Sequence, residues 1–251
     1  MANFDGLAWC ISLLVVLAIL ERRLHFETQA ILLLMTRRAE IALALFSLLF
    51  FPGVLLHETS HYLAARLLGV KTGRFSLLPQ PLPDGRLRLG FVETTGTDLL
   101  RDALIGVAPL VAGGAFVIYA GLLRLGLPAL WDGFVAGEAR ALSEALSLTY
   151  ARPDFWLWFY LTLAVSSTML PSASDRRAWL PVFLVIAILI GLALLAGVGP
   201  WLLGNVAPPF NQALRSLAIL FGISAGIHLI LLPPLWAFRQ VIMRVTGLSV
   251  R

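Results

Sequence analysis

Apolar residues in this chain fall into long unbroken runs, unlike the two-residue alternation or 3.6-residue spacing of half-buried soluble elements. A helix needs about 20 predominantly apolar residues to cross the hydrocarbon core of a bilayer. Six runs approach that length: residues 7–20, 40–69, 103–125, 154–170, 179–203 and 214–238. The pattern predicts an all-α polytopic membrane protein, with one domain over residues 1–251 and about six transmembrane helices. The second run is too long for a straight crossing and contains Pro52-Gly53, which predicts a kink. Pro233-Pro234 predicts a bend late in the sixth. The first run lies close to Met1 without a basic leader, and is read as a retained helix.

Two connections are more than turns. Residues 71–101 hold short alternating stretches around Pro83-Asp84-Gly85, which predicts a small β-hairpin over residues 74–93, in the loop after the second span. Residues 127–153 set Glu138, Arg140 and Glu144 among Ala and Leu at helical spacing, which predicts a short amphipathic helix at the membrane interface.

Composition sharpens this picture. The chain is 59% apolar and 13% charged, about half the charged share of a soluble domain. The net charge of +5 does not point to nucleic acid, because the arginines stand in pairs at the ends of apolar runs (Arg22-Arg23, Arg37-Arg38, Arg176-Arg177), where membrane anchors belong. Cys10 is the only cysteine, which excludes a disulfide framework. Basic residues are somewhat denser in residues 70–102, 171–178 and the tail. By the positive-inside bias, both termini and these connections are expected on the cytoplasmic side. The Arg-rich, Lys-poor, Ala/Leu-heavy composition suggests a prokaryotic cytoplasmic membrane.

The chemistry concentrates in His57-Glu58-Thr59-Ser60-His61. Positions i and i+4 share a helix face one turn apart, so both imidazoles can bind one zinc ion, with Glu58 close enough to activate water as a general base. Three ionisable groups in one apolar helix are costly in lipid and mark a functional site. A metal site needs a further protein ligand. Asp175 and His228 compete for that place, and His25, beside Arg22-Arg23, is expected to be solvated. Two crossings separate the second and fourth spans, so these run in the same direction. Asp175 follows the fourth after Pro171, which predicts an opened helix able to turn the carboxylate back toward His57 and His61. Thr59, Ser60, Ser166 and Ser167 are candidates to line a path for water. Glu93, Asp98 and Asp102 read as interfacial charges, and Gly106, Pro109, Gly113 and Gly114 as close-packing positions.

HExxH in an early membrane helix, a hairpin, a Gly/Pro helix and then an aspartate beyond a proline together resemble the site-2 protease family of intramembrane zinc metalloproteases. The resemblance covers residues 40–180. It implies one Zn2+ ligated by His57, His61 and Asp175, Glu58 as catalytic base, and transmembrane protein substrates cleaved in regulated proteolysis at the cytoplasmic leaflet. The chain differs from the family in having Ser167 near a customary Asn and Arg176, not Gly, after the aspartate. No PDZ or CBS domain fits within it. Two rival readings stand: a transporter or channel moving metal or protons along His57, Glu58, His61 and His228, and a non-catalytic homologue.

Overall fold

The structure is a computed structural model that describes residues 5–77, 80–81, 87–88 and 90–250. Its first helix, α1 (Asp5–Thr36), continues well past the predicted end at Leu20. It carries Glu21, Arg22, Arg23 and Glu27 through its middle because Glu27 is buried against Arg239 at 2.5 Å. α2 (Ala39–Leu49) and α3 (Phe51–Leu67) form the second run and meet at a 67° bend. Pro52 sits in the first turn of α3, where its missing N–H costs no helical hydrogen bond. The kink therefore falls where the sequence predicts it.

The hairpin also forms. β1 (Thr72–Ser76) pairs antiparallel with β4 (Phe91–Thr94), and β2 (Gln80–Pro81) with β3 (Leu87–Arg88). The predicted turn at Pro83-Asp84-Gly85 lies outside the described residues.

Asp98 caps α4 (Leu99–Tyr119) by accepting from the Arg101 N–H at 3.0 Å, and a π-helical turn extends this helix through Arg124. The interfacial stretch forms two helices instead of one, α5 (Leu127–Val135) and α6 (Ala139–Tyr150), turned at Gly137 with φ +68°. Such a left-handed backbone suits a residue without a side chain. Then come α7 (Phe155–Ser166), α8 (Trp179–Leu195), the short α9 (Gly199–Trp201) with a π-helical turn, and α10 (Ala207–Thr246).

The chain is mostly helical, as expected, but the number of spans is smaller. Among the described residues two helices are long and apolar enough to cross a membrane, Leu99–Arg124 and Gly199–Thr246; the bent pair α2–α3 makes a third if taken as one span. The charges of α1 break its apolar stretch. α7 has 12 residues and α8 has 17, below the roughly 20 that a crossing needs. Every side of α8 is nonetheless apolar, and none of its residues is buried by the rest of the chain, as for a helix that faces lipid.

Contacts between the helices fix their directions. α1 and α10 lie side by side and run the same way, joined by Asp5–Arg215 at one end and Glu27–Arg239 at the other. Gly6, which donates to Asn211, and Val250, which accepts from Arg239, therefore stand at opposite ends of this pair. α7 runs parallel to α3: Tyr160 donates to the Leu49 carbonyl, and Gly53 meets Ala164. A Cβ on Gly53 would stand 2.1 Å from the Ala164 carbonyl oxygen, so only glycine permits this approach. α4 runs the opposite way, its Gly113 against Met169. In lipid, apolar burial alone does not hold helices together, and close small-residue packing and polar contacts do so. Leu17, Val117, Val165, Met169, Leu220 and Phe221 fill the space between α1, α4, α7 and α10.

Candidate metal centre

Helix α3 places His57 and His61 on one face, as the four-residue spacing requires. The chain between α7 and α8 supplies the third group. α7 ends at Ser166, before Pro171, and residues 167–178 turn back without regular structure. Within that turn Asp175 Oδ2 accepts from the Ser172 N–H at 2.7 Å. This hydrogen-bonded turn presents the carboxylate to α3.

Among the described residues, His57, His61 and Asp175 form a group whose donor atoms all lie within 4.8 Å of one another, close enough to hold one metal ion. The two Nε2 atoms are 3.2 Å apart. His57 Nε2 lies 3.7 Å from Asp175 Oδ2, and His61 Nε2 lies 3.3 Å from Asp175 Oδ1. The three side chains are 13%, 9% and 14% exposed, so solvent screens their interaction little.

Backbone carbonyls decide which ring nitrogens face one another. His57 Nδ1 is 2.6 Å from the Thr168 carbonyl oxygen, and His61 Nδ1 is 2.9 Å from that of Ile105. A carbonyl only accepts, so both Nδ1 atoms carry the proton and donate it. In the neutral rings each Nε2 then presents a lone pair. Two lone pairs and a carboxylate converge on one point. A single shared proton relieves only part of this repulsion, whereas a divalent cation satisfies all three donors. Histidine ligands oriented from behind by carbonyl groups are the usual outer arrangement of metal sites. Burial works to raise the Asp175 carboxyl, but the two imidazoles and the Ser172 N–H beside it outweigh that and hold the group well below the usual carboxylate range.

The start of α4 braces both sides of the centre. Ile105 holds His61, and the next residue, Gly106, takes the Asp175 carbonyl so closely that a Cβ there would lie 2.0 Å from its oxygen. One turn earlier Asp102 accepts from Arg177 Nε and Nη2, both at 2.8 Å. This planar two-point pair ties the Asp175 loop to α4. Asp102 is thus a structural anchor and not a simple interfacial charge. Asp98 caps its helix, and Glu93 pairs with Arg74.

Glu58 is buried beside this group. The end of the hairpin covers it: a Cβ on Gly90 would stand 2.8 Å from Glu58 Cγ. Three of the small residues expected along a water path have bonding partners within the protein. Ser60 donates to the His57 carbonyl, Ser166 to that of Leu163, and Ser167 bonds His228. His228, the rival third ligand, is fully buried and held by the Ser224 carbonyl through Nδ1 and by Ser167 through Nε2, outside the metal group. His25 is not solvated as expected: its Nε2 is enclosed, and its ring packs edge-on against Phe46 and Phe50 at 5.3 and 5.0 Å.

Reading side chains alone misses Thr168, Ile105 and Arg177. The first two act through main-chain oxygens, which leave no mark in a sequence. The Asp102–Arg177 pair is hinted at only by charges flanking two runs that prove to be neighbours. Comparison with protein-family models, curated proteins and solved structures finds no match to this chain.

Proposed function

We propose that the chain is an intramembrane zinc metallopeptidase that hydrolyses peptide bonds of membrane-embedded protein substrates. The observation that carries this reading is the convergence of His57, His61 and Asp175 directly beside Glu58. Zinc bound at tetrahedral distances of about 2.0–2.1 Å sets its ligand atoms about 3.3–3.4 Å apart. The separations of 3.2 Å between the imidazoles and 3.3 Å from His61 Nε2 to Asp175 Oδ1 match that geometry. His57 Nε2 is nearest the other carboxylate oxygen, Oδ2, at 3.7 Å, so ligation through one oxygen asks for a shift of the carboxylate. Three protein ligands leave one position open, the arrangement of catalytic rather than structural zinc.

A zinc ion held by His57, His61 and Asp175 would supply a Lewis acid that polarises a carbonyl and brings the pKa of water to about 7. Glu58 takes the proton of the attacking water and passes it to the departing amine. Thr168 and Ile105 hold the Nδ1 protons of His57 and His61, so both rings would present Nε2 to the metal. Gly90, lacking a side chain, lets the hairpin lie directly over Glu58. An unwound substrate pairing along that hairpin as an added strand would run beside the base. Arg66, Lys71, Arg74, Arg101, Arg176 and Arg177 lie in the segments that flank the centre in sequence, which supports a position toward the cytoplasmic leaflet by the positive-inside bias.

The test is cleavage of a single-span substrate in vesicles by wild type and Glu58→Gln, with metal analysis of both. Retained zinc and abolished cleavage are expected in the variant. Undiminished cleavage overturns the role of Glu58. Zinc or proton flux across the vesicles without cleavage by the wild type identifies a transporter.

A further inference from the structure

One buried polar contact joins the last helix to the chain that carries the metal centre. His228 of α10 meets Ser167 at the end of α7, with Oγ and Nε2 3.0 Å apart. The two residues are 0% and 1% exposed. His228 Nδ1 lies 2.7 Å from the Ser224 carbonyl oxygen, one turn earlier on its own helix. A carbonyl only accepts, so Nδ1 carries the proton. Nε2 of the neutral ring then presents its lone pair, and the Ser167 hydroxyl donates to it.

The hydroxyls near Ser167 behave otherwise. Thr162, Ser166 and Thr168 turn theirs back onto carbonyls of the preceding turn, as hydroxyls on an apolar helix commonly do. Of these four, Ser167 alone reaches across to another helix.

The next residue shows what this tether holds. A single planar peptide joins Ser167 to Thr168, and the Thr168 carbonyl belongs to the end of α7, where carbonyls have no partner inside the helix. The N–H four residues on, that of Ser172, goes to Asp175 Oδ2 instead. The Thr168 oxygen is therefore open to His57 Nδ1, which lies 2.6 Å away. Gly53, one turn before His57, brings α3 so close that a Cβ there would stand 2.4 Å from Thr168 Oγ1. Ser167 is thus gripped by α10 at the point where its neighbour grips a metal ligand.

We propose that His228 is a positioning residue of the metal centre: through Ser167 it fixes the direction of the Thr168 carbonyl, and with it the ring of His57. His61 is held separately, by the Ile105 carbonyl of α4, so only one of the two imidazoles depends on α10. The inference rests on the metal-centre geometry and not on peptide cleavage.

Nitrogen-15 histidine NMR of the untagged, metal-free protein in lipid nanodiscs tests this, because the chain has only 4 histidines to resolve. In the wild type His228 should appear as the neutral Nδ1–H form, and the His57 Nδ1 proton at low field and protected from exchange. Ser167→Ala and His228→Leu should each move the His57 proton upfield and speed its exchange severalfold, while the His61 proton stays in place. His228→Gln, whose amide oxygen can accept the same hydroxyl, should keep the wild-type His57 signal. All three ligands remain in these variants, so zinc stays bound as isolated, with affinity about tenfold lower in Ser167→Ala and His228→Leu. A merely structural bond between α7 and α10 would leave His57 unchanged in both, or move His57 and His61 together; either result overturns the proposal. So does a wild-type His228 protonated on Nε2, whether or not any variant folds. The spectra are read without metal, so their failure is distinct from failure of the peptidase reading.

Discussion

Replacing Gly106 by alanine is the sharpest probe of the metal centre, because it adds one methyl group and touches none of the donor atoms. The new Cβ would stand 2.0 Å from the Asp175 carbonyl oxygen, whereas ordinary contact begins at 3.4 Å. Something must therefore move by about 1.4 Å, and both partners are backbone, which yields little. Retreat of α4 carries Ile105 away from His61; retreat of the loop carries Asp175 away from both imidazoles. Ligand distances in metal sites tolerate about 0.2 Å, so either movement removes a ligand or its support. Disturbing outer supports alone costs about 10–100-fold in metal affinity, and Gly106→Ala is expected at or beyond the upper end. The assay is zinc content after equilibration against a graded chelator, for wild type, Gly106→Ala and Gly191→Ala. Gly191 has open space around its Cα, so its variant should retain zinc like the wild type. Wild-type zinc affinity in Gly106→Ala would refute the claim that α4 sets the position of Asp175.

Three further outcomes are expected. Metal analysis of Asp175→Asn should show loss of zinc while His228→Ala retains it; the reverse pattern would transfer the third ligand to α10. Arg177→Ala should lower zinc affinity about tenfold without lowering the thermal midpoint of the metal-free protein, and the charge swap Asp102→Arg with Arg177→Asp should recover part of the loss in the same titration. Arg239→Met leaves the buried Glu27 carboxylate unpaired and should destabilise the fold by about 3–5 kcal/mol, read as a lowered unfolding midpoint, with Glu27→Leu added to the same chain restoring most of it.

Much of the site was legible before any coordinates, for a geometric reason. The HExxH spacing maps directly onto one helix face, and Pro171 marks where α7 had to stop and the chain could turn Asp175 inward. The kink at Pro52 and the hairpin were legible because proline and turn residues act locally. The number of spans was not, since hydropathy is a sum along the chain and helix ends are set by partners elsewhere. α1 runs through Arg22-Arg23 to Thr36 because Arg239, over two hundred residues away, neutralises Glu27. The same non-local packing encloses His25, which its arginine neighbours had suggested was wet. The carbonyls of Thr168 and Ile105 were beyond reach because every residue has one.

The donors of the metal group come from two stretches far apart in sequence, α3 and the turn after α7, with α4 wedged between them. An unfolded or half-inserted chain offers a metal only the local histidine pair, so tight capture is deferred until those helices have docked. A metal held by this group would therefore act as a proofreading step on assembly: by mass action it would deepen the native state alone, and a chain that misplaced α4 would be left without its rivet.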